Sequence, residues 1–263
     1  MHVTAILLAA GKGRRFKSGI SKPLVKLGGR PIIDFSLKIL NQHPLVKDII
    51  LVVNSGNIKS ISALINKSGY KKIRALVLGG ARRQDSVFNA LKKVSAQSQL
   101  VLIHDSARPF IKFREISTLL VRARSSGAAI LGVPVKATIK QVTCLSGRQA
   151  KSPACPAGKV TSNFTVKRTL DRNLLWEIQT PQVFRQDWLL EANRKFAKVD
   201  VTDDAGLVEK LGKRIVLVQG SYDNIKITTP EDLYLAEAIL RTKACLPAGR
   251  PACRTTGLAG REI

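Results

Sequence analysis

Six short runs rich in Ile, Leu and Val recur along the chain: TAILLAA (4–10), DIILVV (48–53), IRALVL (73–78), QLVLIH (99–104), AAILGV (128–133) and RIVLVQ (214–219). Each is nearly continuous rather than alternating, the pattern of a strand covered on both faces. Between them lie segments with helical spacing. In 31–41 the residues Ile32, Ile33, Phe35, Leu37, Ile39 and Leu40 crowd one side, and in 84–94 Val87, Ala90, Leu91 and Val94 follow the same period. Further helices are expected near 57–67, 113–125, 186–197, 203–211 and 231–242. Strand–helix alternation of this kind implies an α/β fold with a doubly wound parallel sheet. Ligands in such sheets sit beyond the carboxyl ends of the strands.

The apolar runs are too short to span a membrane, and the N-terminus lacks a basic region before its first run, so a cytoplasmic protein without membrane contact is expected. The net charge of +26 is the unusual quantity. It predicts attraction to polyanions: nucleic acid, anionic membrane or phosphorylated small molecules. Part of the excess sits in two related segments, 144–159 (CLSGRQAKSPACPAGK) and 245–262 (CLPAGRPACRTTGLAGRE), rich in Pro, Gly, Ala and Arg and without apolar periodicity. They read as a low-complexity insert and a poorly ordered basic tail, 243–263. The four cysteines (Cys144, Cys155, Cys245, Cys253) all fall there, with no CxxC pair and no nearby histidine, which argues against a zinc site.

The first run ends in AAGKGRRFKSGISKP, where Gly11 and Gly13 are followed by Arg15 and Lys22 among other cations. Neither the P-loop pattern nor the dinucleotide fingerprint fits; Phe16 stands where the latter needs its third glycine. What remains is a strand, a glycine turn whose N–H groups can approach an anion, and cations to neutralise it, an inventory suited to a triphosphate. In LIHDSARPF (102–110), Asp105 ends a buried strand, where a carboxylate is costly unless paired or metal-bound. It suits Mg2+, which takes hard oxygen ligands together with phosphate oxygens. Arg108 could contact another phosphate. In YDNIKITTPEDL (222–233), Thr229 and Pro230 start a helix, leaving Asp223 as a second metal carboxylate and Lys226 as a phosphate cation. The turn in GGARRQDSVFNAL (79–91) could hold a base or ribose through its backbone and Ser86. In VTDDAGLVEKLG (201–212), Thr202 reads as an N-cap, and TLDRNLLWEIQTPQVF (169–184) holds Arg172 and Thr180. Trp176 and Trp188 read as core or interface residues.

Taken together, and in this order, these motifs with PVKATIK (134–140) resemble the 2-C-methyl-D-erythritol 4-phosphate cytidylyltransferases of the non-mevalonate isoprenoid pathway. The resemblance covers about residues 3–242 apart from the insert. It implies a Rossmann-like nucleotidyltransferase fold with a mostly parallel sheet, one domain over 1–242, Mg2+ dependence, and a homodimer built through an extended β-arm at about 136–172. It places CTP contacts at Ala9, Ala10, Gly11, Gly13, Gly80, Ser86 and Asp105, and cations at the reacting phosphate at Arg15, Lys22 and Lys226. It places methylerythritol-phosphate contacts at Arg108, Thr138, Arg172, Thr180 and Thr202, some from the second subunit. Two positions depart from the family pattern: Ala81 and Ala137 stand where acidic residues are usual. A ribitol-5-phosphate cytidylyltransferase is the nearest rival; Thr138, Arg172, Thr180 and Thr202 favour methylerythritol phosphate. A nucleic-acid-binding role is the rival from another class. Against it, aromatic residues make up 5% of the chain and no basic stripe is interleaved with stacking side chains.

Overall fold

A computed structural model describes residues 1–11, 21–144 and 164–244. Strand β1 (Val3–Leu8) is followed by a short ribbon, β2 (Lys26–Leu27) and β3 (Arg30–Pro31), and by helix α1 (Ile32–Gln42). Strands and helices then alternate: β4 (Val46–Val53), α2 (Ile58–Ser68), β5 (Ile73–Leu78), α3 (Arg83–Leu91), β6 (Leu100–Asp105), α4 (Phe113–Ser126) and β7 (Ala128–Pro134). β8 (Lys140–Cys144) and β9 (Phe164–Thr169) form a separate antiparallel pair. β10 (Trp176–Arg185), α5 (Gln186–Lys195), α6 (Ala205–Lys210), β11 (Val216–Gln219) and α7 (Pro230–Ala244) complete the described chain.

The main sheet has seven strands in the order β11-β7-β10-β6-β1-β4-β5. β1 pairs in parallel with both β4 and β6, so the order reverses direction at β1. Alternate residues of the central strands enter opposite layers of core. Leu7 and Leu51 face one layer, with Leu37, Leu40, Leu119 and Leu120. Ile6 and Ile50 face the other, with Val87, Leu91, Phe184 and Leu189. Both faces of β1 are therefore buried, which is why its sequence shows no alternation.

β10 runs antiparallel between β6 and β7, so the sheet is mixed rather than wholly parallel. The periodicity does not predict this strand. Its buried residues include Gln179, Thr180 and Gln182, which satisfy polar partners inside the protein and break the apolar signature. The predicted helix at 203–211 is shorter than expected. It starts at Ala205 with Asp204 as N-cap, and Asp203 Oδ1 accepts from Gly206 N at 3.1 Å, so Thr202 is not the cap. Thr229 does cap α7, its hydroxyl accepting from Asp232 N at 3.4 Å. Cys144 belongs to β8, and α7 continues to Ala244. The rest of the insert and of the tail lies outside the described residues. Among the described residues no helix is long and apolar enough to cross a membrane.

Candidate active site

At the strand-order reversal the carboxyl ends of β1 and β6 stand side by side, with Leu8 opposite Asp105. After Leu8 the chain is turned by side chains from the β4–α2 connection. Asn57 Nδ2 donates to Ala9 O at 2.9 Å, and Asn54 Nδ2 to Ala10 O at 3.1 Å. In a trans peptide the N–H lies opposite the C=O, so the N–H groups of Ala10 and Gly11 point away from these asparagines. The glycine pair after β5 packs against the same turn. A side chain at Gly79 would meet Ala10 Cβ at 2.5 Å and Ser86 Oγ at 2.9 Å, so this close approach requires glycine. Ser86 Oγ accepts from Gly80 N at 3.0 Å and donates to Arg82 O at 3.1 Å, which fixes the turn.

These elements enclose a cleft of about 570 Å3. Ala9, Ala10 and Gly11 form one wall, Gly80, Ala81 and Ser86 another, and Lys22, Asp105 and Lys226 lie between them. Lys22 opens a 3-10 turn, Lys22–Leu24. A second cleft, of about 420 Å3, is lined by Arg108, Thr180, Thr202 and Asp203. Arg83, Asp105 and Lys226 line both.

Asp105 is the electrostatic centre. Lys226 Nζ lies 2.6 Å from one carboxylate oxygen and Arg83 Nη2 3.5 Å from the other. Burial alone would raise this carboxyl, but the Arg83 guanidinium and the Lys226 ammonium outweigh it and hold it well below the usual range. Thr180 Oγ1 accepts from Asp105 N at 3.1 Å and lies 3.1 Å from His104 Nδ1. His104 is fully buried with Nε2 3.1 Å from Arg108 O, and burial pushes it down to about 4. It is therefore neutral at pH 7, with Nε2–H donating to Arg108 O and Nδ1 accepting from the Thr180 hydroxyl. Arg108 donates from Nη1 to Asn224 O at 2.6 Å, and its Nε is buried without a partner.

The remaining expectations divide three ways. Gly13 and Arg15 lie outside the described residues. Thr138 and Arg172 are exposed at the root of the β8–β9 pair, where Arg172 Nη1 donates to Lys136 O at 3.2 Å; neither lines the two clefts. Asp223 does not join Asp105: it is absent from both linings and faces Lys243 at 3.5 Å and Lys112 at 3.9 Å. Those lysines come from distant parts of the sequence, so the short spacing to Lys226 misleads. Among the described residues no group of three or more His, Cys, Asp or Glu could hold a metal ion. One carboxylate suits Mg2+ when phosphate oxygens and water complete its shell, and Asp105 fits that requirement. Arg83 carries no signal of its own in the sequence, where the turn of GGARRQDSVFNAL points to Ser86; its partner Asp204 is 121 residues away.

The model of the family described as 2-C-methyl-D-erythritol 4-phosphate cytidylyltransferase matches residues 3–158 and 147–242. The chain belongs to this cytidylyltransferase family. Proteins of that name from Alkaliphilus oremlandii and Geobacillus thermodenitrificans are each 40% identical, over 91% and 92% of this chain and 95% and 99% of theirs. The crystal structure of a 4-diphosphocytidyl-2C-methyl-D-erythritol synthase from Anaerococcus prevotii superimposes with a TM-score of 0.74 at 30% identity. It covers 91% of this chain and 96% of that one. The 2-C-methyl-D-erythritol 4-phosphate cytidylyltransferase of Thermus thermophilus superimposes with a TM-score of 0.68 at 30% identity, covering 92% and 100%. The protein is thus an enzyme of the non-mevalonate isoprenoid pathway, with methylerythritol-phosphate cytidylyltransferase activity.

Proposed function

We propose that CTP occupies the first cleft and 2-C-methyl-D-erythritol 4-phosphate the second, so that the two react across the wall the clefts share. The observation that carries this reading is the presence of Arg83, Asp105 and Lys226 in both linings. A 4-phosphate oxygen attacks the α-phosphorus in line. A new P–O bond forms, the bond to the bridging oxygen breaks, and pyrophosphate leaves with the electron pair. No protein nucleophile is needed. The chain's work is to place two mutually repelling anions and to stabilise charge on the five-coordinate phosphorus.

The N–H groups of Ala10 and Gly11 receive the nucleotide's phosphates, and the turn of Gly80 and Ser86 walls the cleft for its base or ribose. Lys22 and Lys226 stabilise charge on the reacting phosphorus, with Arg15 assigned to the same task, and Gly13 to CTP binding, by the family pattern. Arg108, Thr180 and Thr202 hold the sugar phosphate. Asp105 would hold Mg2+, which when bound neutralises triphosphate charge.

The arm completes the site from a second copy. Val142 pairs with Val166, and Phe164 lies two residues along the same face; all three are about half exposed. A second subunit covering that stripe would carry Thr138 and Arg172 to its partner's second cleft. Pyrophosphate release measured with CTP and either methylerythritol phosphate or ribitol 5-phosphate tests the reading. Turnover with the first alone is expected; preference for ribitol 5-phosphate would overturn it.

A further inference from the structure

We propose that Arg83 is a positioning residue for the transfer, tying Asp105 in the wall the two clefts share to Asp204 behind the loop that lines the second cleft. The proposal rests on the assignment of those clefts to nucleotide and sugar phosphate. Arg83 is the first residue of α3, immediately after the turn that begins at Gly79. Its Nη1 donates to Asp204 Oδ2 at 2.6 Å, and its Nη2 reaches Asp105 Oδ1 at 3.5 Å. A guanidinium is a planar fork with donors at fixed angles, so two such contacts set the separation of the carboxylates they touch.

Those carboxylates belong to different parts of the site. Asp105 ends β6 at the centre of the sheet. Asp204 caps α6, and its side chain is 1% exposed. Among the described residues Arg83 is its sole ion-pair partner. A buried carboxylate without a partner is strongly unfavourable, so Asp204 cannot leave Arg83 cheaply. Thr202 and Asp203, which line the second cleft, directly precede it in the chain. The loop that faces the sugar phosphate is therefore located relative to Asp105 through one side chain. The nucleotide turn has other supports: Asn54, Asn57 and Ser86 hold it. Loosening Arg83 should thus disturb the meeting of the substrates while sparing the binding of the first.

Arg83→Lys keeps a cation that can reach one carboxylate but cannot span two. Asp204→Asn removes the buried charge and leaves Arg83 on Asp105 alone. In both variants kcat/KM for the sugar phosphate is expected to fall on the order of 10²-fold, the scale of a small misplacement of reacting groups, with the Kd for CTP and Mg2+ by calorimetry changed less than about threefold. If Arg83→Lys does not fold, the double variant Arg83→Met/Asp204→Asn, which buries no unpaired Asp204 charge, takes its place. A folded variant with wild-type sugar-phosphate kinetics would overturn the proposal. So would a loss of CTP affinity as large as the loss of transfer, or a failure of all three variants to fold. If wild-type protein does not bind CTP at all, the assignment of the clefts fails instead.

Discussion

Two cations meet one carboxylate at Asp105, and the balance decides its charge state: burial pushes it towards neutrality, Arg83 and Lys226 push harder the other way. A carboxylate held ionised by neighbours can exchange them for a metal ion and phosphates without a change of protonation. Lys22 lines the same cleft. Lys22→Ala is expected to lower kcat by a factor on the order of 10² to 10³, the usual scale for one electrostatic group acting in a transition state. Steady-state kinetics with saturating CTP would show it. A different residue, His43, bears on stability alone. It is fully buried against the Phe113 ring, with Nε2 3.0 Å from Ser117 Oγ and Nδ1 without a partner. Burial and then the nearby Lys72 lower it below its ordinary 6.5. The unfolded chain therefore takes up this proton first. Its contribution is complete above about pH 6.5 and is lost as pH falls from there towards the lower native value, by at most about 1.4 kcal/mol per pH unit. His43→Gln should flatten the decline in melting temperature between pH 7.5 and 5, as thermal denaturation can measure.

At the scale of elements, the strands that read clearly from the sequence are those whose burial is apolar on both faces, such as Ile49–Val53. β10 stayed hidden because it buries Gln179 against Ser221 and Asn224 and Gln182 against Asp203. Its strand identity depends on partners that only the tertiary fold brings near. Asp105 and the glycine turns were legible because strand ends in such sheets are where ligands sit. Arg83 was not, because a charge at a helix start looks the same whether it faces water or a carboxylate from another helix. The α4–β7 corner offers a test of element packing. Gly127 ends α4 with φ +85°, and a Cβ there would run into the Trp188 ring of α5. Gly127→Ala should cost about 1–3 kcal/mol, from left-handed backbone strain and overpacking together. Denaturant unfolding would register this as a lower midpoint with unchanged slope, and turnover per folded molecule should stay near wild type.

For the whole molecule, the exposed apolar stripe on β8 and β9 is the feature that a single copy leaves unexplained. On the proposed arm-mediated dimer, replacing Val142 and Val166 with glutamate should shift sedimentation velocity from dimer to monomer. It should also reduce kcat/KM for the sugar phosphate at least tenfold while CTP binding persists, because charges on a buried interface cost several kcal/mol. A dimer that survives this double substitution would rule out the arm as the contact. The chain's +26 charge acts at this scale too, drawing in two anionic substrates, an attraction that salt weakens.

The arm grows out of the sheet itself. Pro134 and Trp176, opposite each other on β7 and β10, lead into its root, where Tyr222 donates to Pro134 O at 2.8 Å and Val135 N to Leu175 O. Its last described pairing is Cys144 with Phe164. The direction of the described lever is thus set at its pivot, where β7 and β10 hand the chain over from the sheet to the arm.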